Sequence, residues 1–145
     1  MEIKVLKVTA RDQCIGCYSC MYACARLLRR NASSAKAAMR VASYIGAEGA
    51  FSVRVCVRCE DPDCARVCPS GAVKTANGGG VRFTDKKLCT SCKSCVNACI
   101  IHALQWDEEL SYPLPCVQCG QCTKFCPNDV FRLESLVRES GVVNK

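Results

Sequence analysis

Apolar and polar positions alternate along this chain, but only over short stretches. Ile3, Val5 and Val8 roughly alternate with polar neighbours, and Phe51, Val53 and Val55 alternate with Ser52 and Arg54. Val81 and Phe83 flank Arg82, and Phe131 and Leu133 repeat the pattern near the end. A period of two over so few residues predicts short strands covered on one face. Asn77-Gly78-Gly79-Gly80 predicts a hairpin turn, and Tyr112-Pro113-Leu114-Pro115 is too proline-rich for a central strand. Residues 25–50 are different. Ala35, Ala38, Met39, Ala42 and Ile45 would share one face of a helix, capped by Ser33 or Ser34 and ended by Gly46. From about Ser135 the mixed charge predicts a partly ordered tail. No apolar run approaches the roughly 20 residues of a membrane span. The start lacks an export-signal core, and Arg29-Arg30 lies too deep for a twin-arginine signal, so a cytoplasmic chain is expected.

Composition changes the picture. Sixteen of 145 residues are cysteine, and without them the apolar share is thin for an ordinary core. They fall into four groups of four: Cys14, Cys17, Cys20 and Cys24; Cys56, Cys59, Cys64 and Cys68; Cys89, Cys92, Cys95 and Cys99; Cys116, Cys119, Cys122 and Cys126. Three groups read C-x2-C-x2-C-x3-C. The second is two residues longer, through Glu60-Asp61-Pro62-Asp63. Each unit therefore reads as strand, cysteine loop, short helix, strand.

That spacing suits an iron–sulfur cube. Three thiolates of a C-x2-C-x2-C loop reach one cube, and the fourth cysteine points along a helix to another, the rule for two-cluster ferredoxins. Sixteen thiolates match four [4Fe–4S] clusters with none left over. Cys68 and Cys126 carry the proline that follows this motif, whereas Cys24 and Cys99 are followed by Ala25 and Ile100. Structural zinc ordinarily uses two separated C-x2-C pairs. A disulfide framework needs an oxidising compartment. A thioredoxin-type site needs one isolated pair, and a Rieske centre needs two histidines where only His102 exists. His102 reads as a packing or surface residue. Gly16 and Gly120, inside cysteine loops, are expected to let the backbone approach sulfur closely.

The stretch from Cys68-Pro69-Ser70-Gly71 through Gly79-Gly80-Val81-Arg82-Phe83 to Cys89-Thr90-Ser91-Cys92 resembles the middle of a bacterial dicluster ferredoxin. The resemblance implies an α+β fold of nested dicluster ferredoxin-like units, with short strands and helices around iron–sulfur clusters. In this reading 1–24 and 107–134 form an outer unit, 25–50 a helical insert, 51–106 an inner unit and 135–145 a tail. One cluster then takes Cys14, Cys17, Cys20 and Cys126, and a second Cys116, Cys119, Cys122 and Cys24. A third takes Cys56, Cys59, Cys64 and Cys99, and a fourth Cys89, Cys92, Cys95 and Cys68. Sequential pairing, one group with the next, uses the same sixteen positions with different wiring.

The whole arrangement, over roughly 14–24 and 51–134, resembles the four-cluster electron-transfer subunits of multi-subunit oxidoreductases. Cys56-Val57-Arg58-Cys59-Glu60-Asp61-Pro62-Asp63-Cys64-Ala65-Arg66-Val67-Cys68-Pro69 is similar to the second group in iron–sulfur subunits of molybdopterin and tungstopterin enzymes. The compact third and fourth groups look most like the small subunit accompanying aldehyde ferredoxin oxidoreductase-type tungsten enzymes. Subunits of formate dehydrogenase or hydrogenase complexes are the runner-up. The resemblance implies electron relay without a catalytic site, between a tungsto- or molybdopterin subunit and another redox subunit, such as a flavin chain serving NAD. A free polyferredoxin and self-association into longer wires are the other readings.

Charge is the last modifier. The formal +7 counts thiols as neutral. Four oxidised clusters at about −2 each bring the loaded protein to about −1, so the basic chain is no evidence for nucleic acid, and no nucleic-acid partner is expected. Arg26, Arg29, Arg30, Lys36 and Arg40 form a basic stretch, read as a solvated face or a docking surface.

Overall fold

The computed structural model describes residues 2–46 and 49–137. Eight short strands pair into four two-stranded antiparallel ribbons, with four helices between them. β1 (Glu2–Val8) pairs with β8 (Phe131–Val137), Val5 opposite Glu134 and Val8 opposite Phe131. β2 (Arg40–Ser43) pairs with β3 (Phe51–Arg54), β4 (Val73–Thr75) with β5 (Val81–Phe83), and β6 (Gln105–Asp107) with β7 (Tyr112–Leu114). Pro113 is tolerated in β7 because a two-stranded ribbon has no central strand. An isolated ribbon is marginal in water, so each must bury a face against something else.

The helices are α1 (Ser19–Arg29), α2 (Asp63–Arg66), α3 (Ser94–Ala98) and α4 (Gln121–Phe125). Each carries the third cysteine of its group. Three of them have only four or five residues, too short to stand alone. α1 runs for 11 residues and stops where Arg30 turns left-handed and returns its N–H to the carbonyls of Ala25 and Arg26.

Two apolar cores result. The larger joins α1, α4 and the β1–β8 ribbon through Leu6, Met21, Ala25, Val130 and Phe131, together with Cys20 and Cys122. The smaller gathers Val73, Val81, Leu104 and Cys95, with Cys64, Cys68 and Cys99 against them. The chain ends thus pack with residues 37–55 in one core, and residues 64–104 supply the other.

The helix expected between Ser33 and Gly46 does not form. Ser33 Oγ caps only a 3-10 turn, Ser34–Lys36, accepting from the Ala35 N–H at 3.3 Å. The chain then becomes extended at Ala37 (ψ 145°) and enters β2. The alanines share no helical face: Ala38 and Met39 are buried, while Ala35 and Ile45 are exposed. Tertiary pairing outweighs alanine's local preference here, because β2 satisfies its backbone on β3 and buries Val41. β3, expected to open the inner unit, lies instead in the larger core through Val53. Of the expected tail, Ser135–Val137 belong to β8; 138–145 lie outside the described residues.

Lys36 ties this segment to the other core. Its ammonium is buried, 2.7 Å from Asp107 Oδ1 and 2.8 Å from Glu109 Oε2. Burial opposes ionisation of Asp107. The Lys36 contact and the N–H groups of Leu110 and Glu109 outweigh that and hold the carboxyl below its ordinary range. Lys36→Met is expected to lower the melting temperature by several degrees near neutral pH. A depressed carboxyl stabilises the fold above its unfolded value of about 4 and loses that contribution as pH falls through the folded value. Melts of wild type and variant should therefore converge on acidification; a pH-independent gap would contradict this role for the pair.

Candidate iron–sulfur site and family

The four cysteine loops share one backbone design. The residue before the second cysteine is left-handed in every group: Gly16 (φ 68°), Arg58 (60°), Ser91 (57°) and Gln118 (59°). In three groups the residue after it is left-handed too, namely Tyr18, Lys93 and Gly120. The longer second loop lacks that second reversal. Successive reversals curl the chain so that three side chains of one loop converge, at a cost of about 1–2 kcal/mol per non-glycine residue.

The fourth cysteine of each group receives a backbone hydrogen bond. Val73 N–H donates to Cys68 Sγ (3.4 Å), Ala103 to Cys99 (3.3 Å) and Val130 to Cys126 (3.4 Å). In the first group the donor is Ala38, fourteen residues past Cys24, at 3.3 Å. The segment after α1 therefore loops out and returns to place the same bond. All four donor residues are buried.

The structure mixes the groups in space. Cys20 lies among Cys14, Cys17 and Cys126; burial pushes its thiol up to about 12, and repulsion from those neighbours adds to this. Cys122 is likewise raised to about 12 by burial, with Cys116, Cys24 and Cys119 close by. Burial raises Cys64 to about 12, beside Cys99, Cys56 and Cys59. Cys95 rises to about 11 by burial, next to Cys68 and Cys92. Cys89 opens the same loop as Cys92 and is half-buried. The second cysteine of every group, Cys17, Cys59, Cys92 and Cys119, is the exposed one. Two of these thiols fall instead of rising. Cys92 is lowered to about 7 by the Ser94 hydroxyl, then the Ser94 N–H and the Thr90 hydroxyl, and Cys17 is lowered by Ser19.

Two electrostatic interactions run between sets. Cys122 neighbours Cys20, and Cys116 neighbours Cys56. Gln118 sits at the second junction. Its Oε1 accepts from the Leu6 N–H at 2.7 Å, and its Nε2 donates to the Cys56 carbonyl at 2.8 Å. Arg58 pins the second loop to the Lys4 carbonyl (2.8 Å) and the Asn77 carbonyl (2.6 Å). Sequence reasoning missed both residues, since their partners are 112 and 54 positions away. A Cβ at Gly16 would meet the Phe51 ring, and one at Gly120 the Leu133 side chain.

These sites fit a cubane cluster. All sixteen cysteines are free thiols. Among the described residues no group of three or more His, Cys, Asp and Glu is placed to hold a single metal ion. One cavity is lined by Cys14, Cys17, Cys20 and Cys126 with Val41, Val130 and Phe131; another by Cys56, Cys59, Cys64 and Cys99 with Pro62, Val81 and Leu104. The Nε of Arg29 is buried without a hydrogen-bond partner, and its cation lies beside Cys24. An orphaned donor beside a thiol suits an anionic group bound there.

A family model described as a 4Fe-4S binding domain matches residues 11–27, 86–99 and 113–129, which hold the first, third and fourth groups. The chain is 30% identical to the thiosulfate reductase electron transfer subunit PhsB of Salmonella typhi, over 86% of this chain and 72% of that protein. It belongs to the family of iron–sulfur electron-transfer subunits of oxidoreductase complexes. Another relative, formate hydrogenlyase subunit 2 of Escherichia coli strain K12, is 33% identical over 70% of this chain and 48% of its own length. The NADH-dependent phenylglyoxylate dehydrogenase subunit beta of Aromatoleum evansii is 29% identical over 83% of this chain and 28% of its own. The chain thus spans about a quarter to a half of the length of several relatives. Among the described residues no helix is long and apolar enough to cross a membrane. As a member of this electron-transfer family the chain itself carries no catalytic site.

Proposed function

We propose that the chain is a relay of single electrons, holding four [4Fe–4S] clusters on its sixteen cysteines and serving a separate catalytic subunit. The convergence of cysteines from different groups into four sets carries this reading. Such clusters supply one-electron chemistry that side chains lack. The protein's part is to hold, space and tune them. Cys14, Cys17, Cys20 and Cys126 would hold the first, and Cys24, Cys116, Cys119 and Cys122 the second. Cys56, Cys59, Cys64 and Cys99 would hold the third, and Cys68, Cys89, Cys92 and Cys95 the fourth. Cys20 beside Cys122, and Cys116 beside Cys56, support a linear order from first to third. The core shared by Cys95, Cys64 and Cys99 supports the fourth at the far end. The same contacts favour nested over sequential pairing, with β3 packed in the outer unit's core and the inner unit beginning after it.

Buried apolar walls, the four N–H donors and Arg29 would set the potentials. Arg29→Gln should lower one reduction potential, that of the cluster on Cys24, by on the order of 50 mV, about 1 kcal/mol for one electron. Potentiometric titration followed by electron paramagnetic resonance reads this; four unmoved potentials would contradict it.

The catalytic partner in this reading carries tungsto- or molybdopterin. The compact third and fourth cysteine groups support a tungsten enzyme of the aldehyde oxidoreductase type, acting in the cytoplasm. The match to formate hydrogenlyase subunit 2 favours a formate or hydrogenase complex as the second reading. The relative named NADH-dependent supports a further subunit linked to NAD, such as a flavin chain. Anaerobic purification from the native host tests all of this: about sixteen irons per chain, a larger subunit at fixed stoichiometry, and tungsten or molybdenum with it. A monomer reducing many unrelated enzymes would instead make it a free polyferredoxin. Concentration-dependent size would mark self-association. Zinc in place of iron would end the proposal.

A further inference from the structure

The basic stretch noted in the sequence does not stay together in the fold. Lys36 is consumed by Asp107 and Glu109, and Arg29 lies beside Cys24. Arg40, however, stands directly across the β2–β3 ribbon from Arg54. Directly opposed residues share a face, and like charges so placed repel each other. Both arginines line one open cleft between this ribbon and β6, together with His102 and Trp106. Among the described residues neither guanidinium has an acidic partner. Arg40 Nε donates to Gln105 Oε1 at 3.3 Å, which anchors that side chain across the cleft.

The cleft does contain carboxylates, yet each is engaged. Asp107 and Glu109 hold Lys36, and Glu108 contacts Lys93 Nζ at 3.2 Å. The arginine pair sits at the open end of the ribbon, away from the turn that follows Ser43. Three cations, Lys36, Arg40 and Arg54, thus face three carboxylates in the lining, and among the described residues Arg40 and Arg54 are the two cations there without an ion-pair partner, in a concave surface beside the chain's only tryptophan. Paired arginines are suited to paired carboxylates, since each planar guanidinium binds a carboxylate through two parallel hydrogen bonds. We propose that this cleft docks an acidic segment of a partner subunit, with neighbouring carboxylates received by Arg40 and Arg54. The inference rests on the reading of the chain as a subunit.

The test uses anaerobically prepared, iron-loaded chain and a fluorescein-labelled peptide with two adjacent glutamates between leucines. Fluorescence anisotropy should show saturable binding, weakened at least tenfold by Arg40→Gln with Arg54→Gln. The conservative Arg40→Lys with Arg54→Lys should keep part of the affinity, and Arg132→Gln, on the exposed side of β8, should keep all of it. Equal binding by wild type and the Gln variant, or an equal loss with Arg132→Gln, overturns the proposal. Acetate at matched carboxylate concentration should not displace the peptide; full displacement would make this a small-anion site and overturn docking. Iron content, measured on the same samples, separates this failure from failure of the relay reading.

Discussion

Replacing Cys99 with alanine is expected to remove the cluster held by the second cysteine group, and to leave the third group's own loop loaded. Cys99 lies beside Cys56 and Cys64, and the Ala103 N–H fixes its sulfur there. Iron should fall by about four of roughly sixteen atoms per chain, with one of four spectroscopic signals lost or converted. Pairing the change with Cys56→Ala should cost no further iron, since both remove ligands of one cluster. Pairing it with Cys116→Ala should cost about four more. Sequential wiring predicts the reverse, because Cys99 would then serve the fourth group. Iron analysis with electron paramagnetic resonance on the two double variants decides between them.

Gly16→Ala is the second large effect. Gly16 has φ of +68°, and a Cβ there would stand 2.3 Å from Cε1 and Cζ of Phe51. The left-handed backbone costs about 1–2 kcal/mol for an ordinary residue, and forcing a methyl against a packed ring about 1–3 more. Together these come to about 2–5 kcal/mol, a large share of a domain's stability of roughly 5–15 kcal/mol. Denaturant titration of the loaded protein should show this loss, with Phe51→Leu restoring the steric part only. Gly120→Ala should cost less, because its nearest obstacle at 2.7 Å is Leu133 Cδ2, the end of a flexible side chain. A Gly16→Ala protein as stable as wild type would show that the ring moves aside freely.

Strand positions were legible because an alternation of apolar and polar residues works locally: β1, β3, β5 and β8 fall on the stretches where it occurs. The insert was misread for the same reason. Alanine-rich spacing speaks for a helix in isolation, whereas Ala38 is needed in extended chain to reach Cys24 Sγ and Val41 is needed on β3. No residue within the insert announces either partner.

The sequence by itself determined the chemistry. Sixteen thiols at these intervals suit little besides iron–sulfur cubes, because loop spacing governs which sulfurs can reach one centre. Only the tertiary structure decided that Gln118 and Arg58 lock the loops to distant backbone, and where the basic residues end up. Those outcomes depend on contacts between residues tens of positions apart. Such contacts are set by how two small cores and four ribbons pack, and no local pattern in the chain encodes them.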